Sequence, residues 1–355
     1  MNIVIPLLLL LPCVFGGEIE DRIARAESKW KLAQRMSELK VPGVSIAVIN
    51  GGKLEWARAY GTATPETLFQ AASISKPVAA MAALHLAQNG NFNLDQDVNE
   101  KLVSWKIPTN EFLGENKVTV RRLLSHSAGL TVHGFRGYAQ GEPVPTLKQI
   151  LDGEKPANCA PIRVDILPGS KWRYSGGGYT ILQQLMIDLM KMPFPQIMNM
   201  IVLRKLGMKH STYEQPLPAN LAATAATGHR ADGNAIAGKW HTYPEMAAAG
   251  LWTTPSDLAL FVIEMQKSIK GASNQVIERT MANEMVKRQF DEFGLGLVIL
   301  SKGFHHSGSN EGFRAKIYGT LDSGFGVIIM TNSDTGDKLI NEIGGAIEAE
   351  YTIKK

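Results

Sequence analysis

Cysteine is scarce in this chain, and only Cys13 and Cys159 occur among its 355 residues. Residues 1–17 contain no charged side chain, are apolar from Ile3 to Phe15, and end in Gly16-Gly17, the pattern of a secretory signal peptide. If that segment is removed, Cys13 leaves with it and Cys159 has no thiol to pair with, so no intramolecular disulfide is expected. Pro12 before Cys13 also departs from the small residue that lipid-attachment sites carry. No Cys/His grouping has zinc-like spacing, and the adjacent His305 and His306 would point to opposite faces of a strand.

Long hydrophobic runs are lacking as well. A membrane helix needs about 20 apolar residues, and the N-terminal run is shorter and interrupted by Pro6 and Pro12, so no stable span is expected. The net charge is only +4, with Lys and Arg scattered, which removes the electrostatic footprint of a nucleic-acid binder. Gly-x-Ser-x-Gly is absent too, which disfavours a conventional α/β-hydrolase. What remains is 45% hydrophobic and 20% charged, the composition of a globular protein large enough for one big or two moderate domains.

After a helical N-terminal stretch (Ile19, Ile23, Ala26, Trp30, Ala33), Val41-Pro42-Gly43 forms a break. Val44 to Ile49 reads as a strand that turns at Asn50-Gly51-Gly52 into Lys53 to Tyr60. From about Leu68 to Phe261 the pattern is mostly helical, with long connections around residues 106–118 and 131–170. Gly294 to Leu300, Gly312 to Gly319 and Gly324 to Thr331 are strand-like, and Lys338 to Tyr351 is an amphipathic helix. Strands at both ends predict one antiparallel sheet assembled from the two termini, with a helical insertion between them.

Ser73-Ile74-Ser75-Lys76 is the chemically suggestive segment. A serine hydroxyl is a weak nucleophile until a base takes its proton, and on a helix a lysine at i+3 lies on the same face. The spacing alone is cheap, since Ser28 to Lys31 and Ser37 to Lys40 repeat it in a solvated helix. Ser73 differs because small and apolar residues surround it, so that a buried helix opens at the serine. Three further segments accompany it: Leu123 to Leu130 around Ser125-His126-Ser127, Pro168 to Tyr179 with Tyr174 and three glycines, and His306-Ser307-Gly308-Ser309.

In this ordered series the chain resembles the serine β-lactamase-like and penicillin-binding superfamily, in its branch of class C β-lactamases, DD-carboxypeptidases, D-aminopeptidases and related esterases. Val41-Pro42-Gly43-Val44, Asn93-Leu94-Asp95 and Ala249 to Leu258 belong to the same likeness, which covers roughly residues 20–350. The resemblance implies an α+β fold in which an antiparallel sheet flanked by helices (about 18–67 and 262–355) carries an inserted all-α domain (about 68–261). The site would lie between the two.

By the same resemblance Ser73 is the acylated nucleophile. Lys76 is its proton acceptor, or the charge that depresses a neighbouring base, and Tyr174 is a second base. The backbone amides of Ser73 and Ser309 form the oxyanion hole, His306, Gly308 and Ser309 line the substrate, and no cofactor is implied. Two departures bear on substrate. Gly176 stands where the family's Tyr-x-Asn motif often places an amide, and His306 replaces the lysine of Lys-Thr-Gly, so carboxylate recognition is weakened unless Arg314 or Lys316 substitutes. His126 is expected to close a turn, and Trp172, Trp240 and Trp252 to line the core or cleft. The expectation is an exported, periplasmic or secreted, serine hydrolase. It would act on ester, amide or β-lactam carbonyls of small molecules or short peptides, peptidoglycan-derived peptides among them, with an esterase or D-amino acid peptidase favoured. The alternatives are a true β-lactamase and a penicillin-binding sensor with slow or no turnover.

Overall fold

A computed structural model describes residues 31–352; the leader segment and most of the first helix fall outside them. The helices used below are α1 (Leu32–Glu38), α2 (Ser75–Gln88), α3 (Val120–Leu124), α4 (Gly176–Met190), α5 (Met246–Ala249), α6 (Pro255–Lys270) and α7 (Gly336–Thr352). The strands are β1 (Gly43–Asn50), β2 (Lys53–Gly61), β3 (Phe69–Gln70), β4 (Trp252–Thr253), β5 (Val298–Ile299), β6 (Gly303–Asn310), β7 (Phe313–Thr320) and β8 (Gly326–Thr331).

Six of these strands form one antiparallel sheet in the order β2-β1-β8-β7-β6-β5. Both chain ends build it, because β1 pairs directly with β8 in a register that sets Val44 opposite Thr331. Period-two alternation then sends side chains to two different layers. Val44, Ile46 and Val48 join Val327, Ile329 and α7 residues Leu339, Ile340, Ile343 and Ile347 in one cluster. Ala47, Ile49, Ile328 and Met330 face the larger cluster that holds α2, α4 and α6. Being covered on both faces explains why β1 and β8 read as nearly continuous apolar runs.

Gly294 to Leu300 is not the full strand that its pattern suggests: only Val298 and Ile299 pair with β6. Its other backbone groups are engaged elsewhere. Gly294 N–H donates to Leu297, Leu295 N–H to Met285 and Gly296 N–H to Leu124, and Gly296 adopts φ +90°. The segment therefore folds back over the helices. Among the described residues no helix is long and apolar enough to cross a membrane.

The site is held by a small ribbon. β3 pairs with β4, and Ala71 N–H donates to the Leu251 carbonyl, which fixes a short 3-10 turn at Ala72–Ile74. Ser73 thus lies in this turn, and the α-helix proper begins two residues later at Ser75. Ala72 is held at φ +50°, a left-handed conformation that costs a residue with a Cβ about 1–3 kcal/mol and persists because the surroundings over-determine it. Ser75 helps hold it, as its hydroxyl donates to the Ala72 carbonyl at 2.5 Å and accepts from Leu251 N–H at 2.9 Å.

β6 runs so close to this turn that a Cβ on Gly308 would lie 2.1 Å from the Ala71 carbonyl oxygen. Gly308→Ala is therefore expected to lose about 1–3 kcal/mol of stability through overpacking against rigid backbone. Urea denaturation at constant m-value measures this, and an unchanged midpoint would contradict the close approach.

Candidate active site

Ser73, Lys76, Tyr174, His306, Ser307 and Ser309 line one cavity of about 490 Å³ between the start of α2, the start of α4 and strand β6. Lys76 follows Ser73 by three residues, and its Nζ donates to Ser73 Oγ at 2.9 Å and to the Ala248 carbonyl at 2.8 Å. The lysine is 2% exposed. Burial without a carboxylate partner disfavours the ammonium and brings its pKa down to about 7, so that a neutral amine is present at neutral pH.

Tyr174 approaches from the loop before α4. Ser175 caps that helix, its Oγ accepting from Gly178 N–H, and the preceding tyrosine is thereby aimed into the cavity. Its hydroxyl hydrogen-bonds with Ser73, and burial pushes the phenol well above its ordinary range. The ring lies 5.0 Å from Lys76 Nζ. Burial thus favours the neutral phenol in this position.

His126 sits below this ring at 4.1 Å between centroids, at a tilt of 32°. Its Nδ1 accepts from Ser175 N–H at 3.1 Å, and its backbone turns at φ +57°. This matches a turn-closing residue, with the added effect that it supports Tyr174. Burial, then Lys76, lowers its pKa well below that of free imidazole.

His306 also faces the cavity, whereas His305 points to the opposite side of the sheet. Its Nδ1 lies 2.7 Å from the Ser307 carbonyl, so that nitrogen carries the proton and Nε2 is left as a buried lone pair without a partner. Burial is the chief reason its pKa falls to about 3, with the Lys76 charge adding to it. β5 covers β6 only at Phe304 and His305. From His306 onward that edge of β6 has no strand partner among the described residues and faces the turn carrying Ser73.

Arg314 and Lys316 do not take the place of the missing lysine. Side chains alternate along β7, and both cations lie on the α7 side of the sheet. There Arg314 pairs with Asp334 and Asp337, each at 3.1 Å, and Lys316 donates to Asn341 at 3.2 Å. Among the described residues lining the cavity, Lys76 is the only lysine or arginine, and none is acidic.

The walls are aromatic: Phe135, Trp172, Tyr174 and Phe293. Trp172 is a cleft-wall residue packed 5.6 Å from Phe293, while Trp252 is fully buried against Trp240 and Phe313. Phe135, Phe293 and Asn310 carried no signal in the sequence. Phe135 matters most, because a Cβ on Gly176 would meet its ring at 3.0 Å and the His133 carbonyl at 3.2 Å. The space next to Tyr174 is thus occupied by a phenyl ring and a backbone carbonyl. No cluster of three or more His, Cys, Asp or Glu side chains suited to a metal occurs among the described residues.

The chain is 24% identical over 338 residues to Protein flp of Staphylococcus aureus (strain N315), covering 86% of this chain and 63% of that one. It therefore spans less than two thirds of that relative's length. It is 26% identical over 228 residues to Esterase EstB of Burkholderia gladioli, covering 59% of this chain and 56% of the relative. In three dimensions it is similar to FmtA from Staphylococcus aureus, with a TM-score of 0.70, 16% identity and 96% of each chain covered, a likeness of fold. The antiparallel sheet, the Ser73 turn and Lys76 lie within residues 31–348, which match the Beta-lactamase family, and the chain belongs to that family.

Proposed function

We propose that the protein is a serine hydrolase for uncharged, apolar carboxylic esters, acting through an acyl-enzyme on Ser73. The observation that carries this reading is Lys76, an amine buried against Ser73 Oγ in a cavity that holds no other cation. Such a site activates a hydroxyl but offers no charge to a substrate carboxylate. Gly176, with Phe135 packed beside it, supplies no side-chain amide for a peptide or β-lactam acyl group. The aromatic walls favour apolar substituents, and the likeness to Esterase EstB points the same way.

In the proposed reaction, neutral Lys76 takes the Ser73 proton as Oγ attacks the ester carbonyl. The backbone amides of Ser73 and Ser309 hold the developing oxyanion, at the positive end of α2. The Tyr174 hydroxyl relays a proton from Lys76 to the departing alkoxide, and water activated by the same amine releases the acid. The leader-like residues 1–17 extend the proposal to an exported enzyme.

Ser73→Ala is expected to abolish hydrolysis of short-chain aryl esters. The wild-type chain is expected to turn these over faster than a chromogenic cephalosporin or a D-Ala-D-Ala peptide. Equal ester hydrolysis by both forms sinks the mechanism, and a preference for the cephalosporin or the peptide sinks the substrate assignment. Because only the unprotonated amine accepts the serine proton, kcat/KM should rise with pH through a midpoint near 7. A profile flat from pH 5 to 8 would remove Lys76 as the base. Phe135→Ala should raise KM for apolar acyl esters about tenfold or more, with a smaller change in kcat, since it removes contact common to ground and transition states. Steady-state kinetics on an acyl-chain series reads this out, and an unchanged KM excludes Phe135 from the acyl pocket.

A further inference from the structure

Beneath the catalytic turn lies an acid that the reaction above does not use. Glu245 is 0% exposed, and neither of its carboxyl oxygens has a partner from another residue. It stands immediately before α5, where a carboxylate would ordinarily cap the first amides of the helix, yet its side chain caps nothing. The amides of Ala248 and Ala249 are already taken by its own backbone carbonyl, at 3.0 and 2.9 Å.

The helix it precedes is tied to the site at every turn. The Ala248 carbonyl receives Lys76 Nζ, and the Ala249 carbonyl receives the Asn310 amide at 3.1 Å. Gln183 of α4 holds the N-terminal end of the helix, donating to the Pro244 carbonyl at 3.1 Å and accepting from Ala247 N–H at 3.0 Å. The titratable groups facing the carboxyl are Tyr138, Tyr243 and Cys159. None of these side chains can carry a positive charge, and burial raises all three so that they stay neutral. From α2 comes Lys76, which meets the Ala248 carbonyl and not the acid.

We propose that Glu245 is a positioning residue for Lys76: as a neutral acid it lets α5 pack with the Ala248 carbonyl on the amine, and its ionisation opens that packing. This rests on the esterase reading above. A charge buried without a partner is costly enough that the segment holding it must move toward water, and that segment carries the carbonyl that orients Lys76. Burial places the transition near pH 8, above the ordinary carboxyl range. Activity is then confined between two buried groups, falling below about 7 as Lys76 gains a proton and above about 8 as Glu245 loses one.

The test compares the wild type with Glu245→Gln, a neutral side chain of the same shape. Ser73 labelling by a fluorophosphonate is followed by intact mass from pH 6 to 10, beside hydrolysis of a short aryl ester. The wild-type rates should fall about tenfold per pH unit above 8. In Glu245→Gln that fall should move up by more than one pH unit, with the rate at pH 7.5 within about twofold of wild type.

Stability gives a readout independent of turnover. The unfolded carboxyl ionises near 4.5 and the folded one near 8, so the wild type loses stability relative to Glu245→Gln as pH rises across that window. Their urea midpoints should converge below pH 4.5 and stand furthest apart above pH 8. Glu245→Met replaces the glutamine variant if that variant does not fold. An alkaline limb that persists unchanged in the neutral variant, or a wild type without one below pH 9.5, overturns the proposal. A protein that hydrolyses no ester yet labels with the expected profile defeats the ester assignment and leaves the part of Glu245 standing.

Discussion

Desolvation of Lys76 is the constraint around which the rest of the site is arranged. A lysine in water is an ammonium at any physiological pH and cannot accept a proton from a serine. Here α2 is buried along nearly its whole length, with alanines that bring neighbouring backbone close on every side. The amine keeps two hydrogen bonds, to Ser73 Oγ and the Ala248 carbonyl, and no ion pair. That combination holds it in place without stabilising its charge. The same burial lowers the pKa of His306 and raises that of Tyr174, favouring a neutral imidazole and a neutral phenol beside it. One physical cause thus sets three protonation states.

The proposed substrate choice rests on a second economy of space. Removing the side chain at Gly176 does not leave a hole, because Phe135 and the His133 carbonyl approach to within contact of where a Cβ would stand. A polar handle is thereby exchanged for an aromatic wall that joins Trp172 and Phe293. The cations of β7 are turned away by the pleat, and on the far side of the sheet Arg314 pairs with Asp334 and Asp337 while Lys316 donates to Asn341.

Much of this was legible in the sequence. The hairpin over β1 and β2, strands β7 and β8 and the terminal helix follow from hydrophobic periodicity, which reports burial directly. The Ser73 segment, Tyr174 and His306 stood out through their order along the chain, and all three line the same cavity. What escaped depends on contacts between distant segments. Gly294 to Leu300 has a strand-like composition but spends its amides on Met285, Leu124 and its own turn. Arg314 and Lys316 were plausible carboxylate partners until the strand register showed which face they occupy. Phe135 lies in a long loop without periodicity. Glu245 looks like an ordinary charged residue until three separate segments close over it.

The pairing of β1 with β8 also shapes how the molecule comes into being. Val44 on β1 cannot pair with Thr331 until the segment carrying β8 is available. Loop-closure entropy of that size makes the central pairing a late and slow event, of the kind expected for folds of high contact order. In the interval, β1 and its buried valines and isoleucines are exposed beside an unpaired edge, a state open to wrong partners. Arg35 on α1, bonded to Glu342 on α7, closes the same circuit at the surface. Ser73, carried between the two groups of strands, therefore reaches its place beside β6 only after both groups have met.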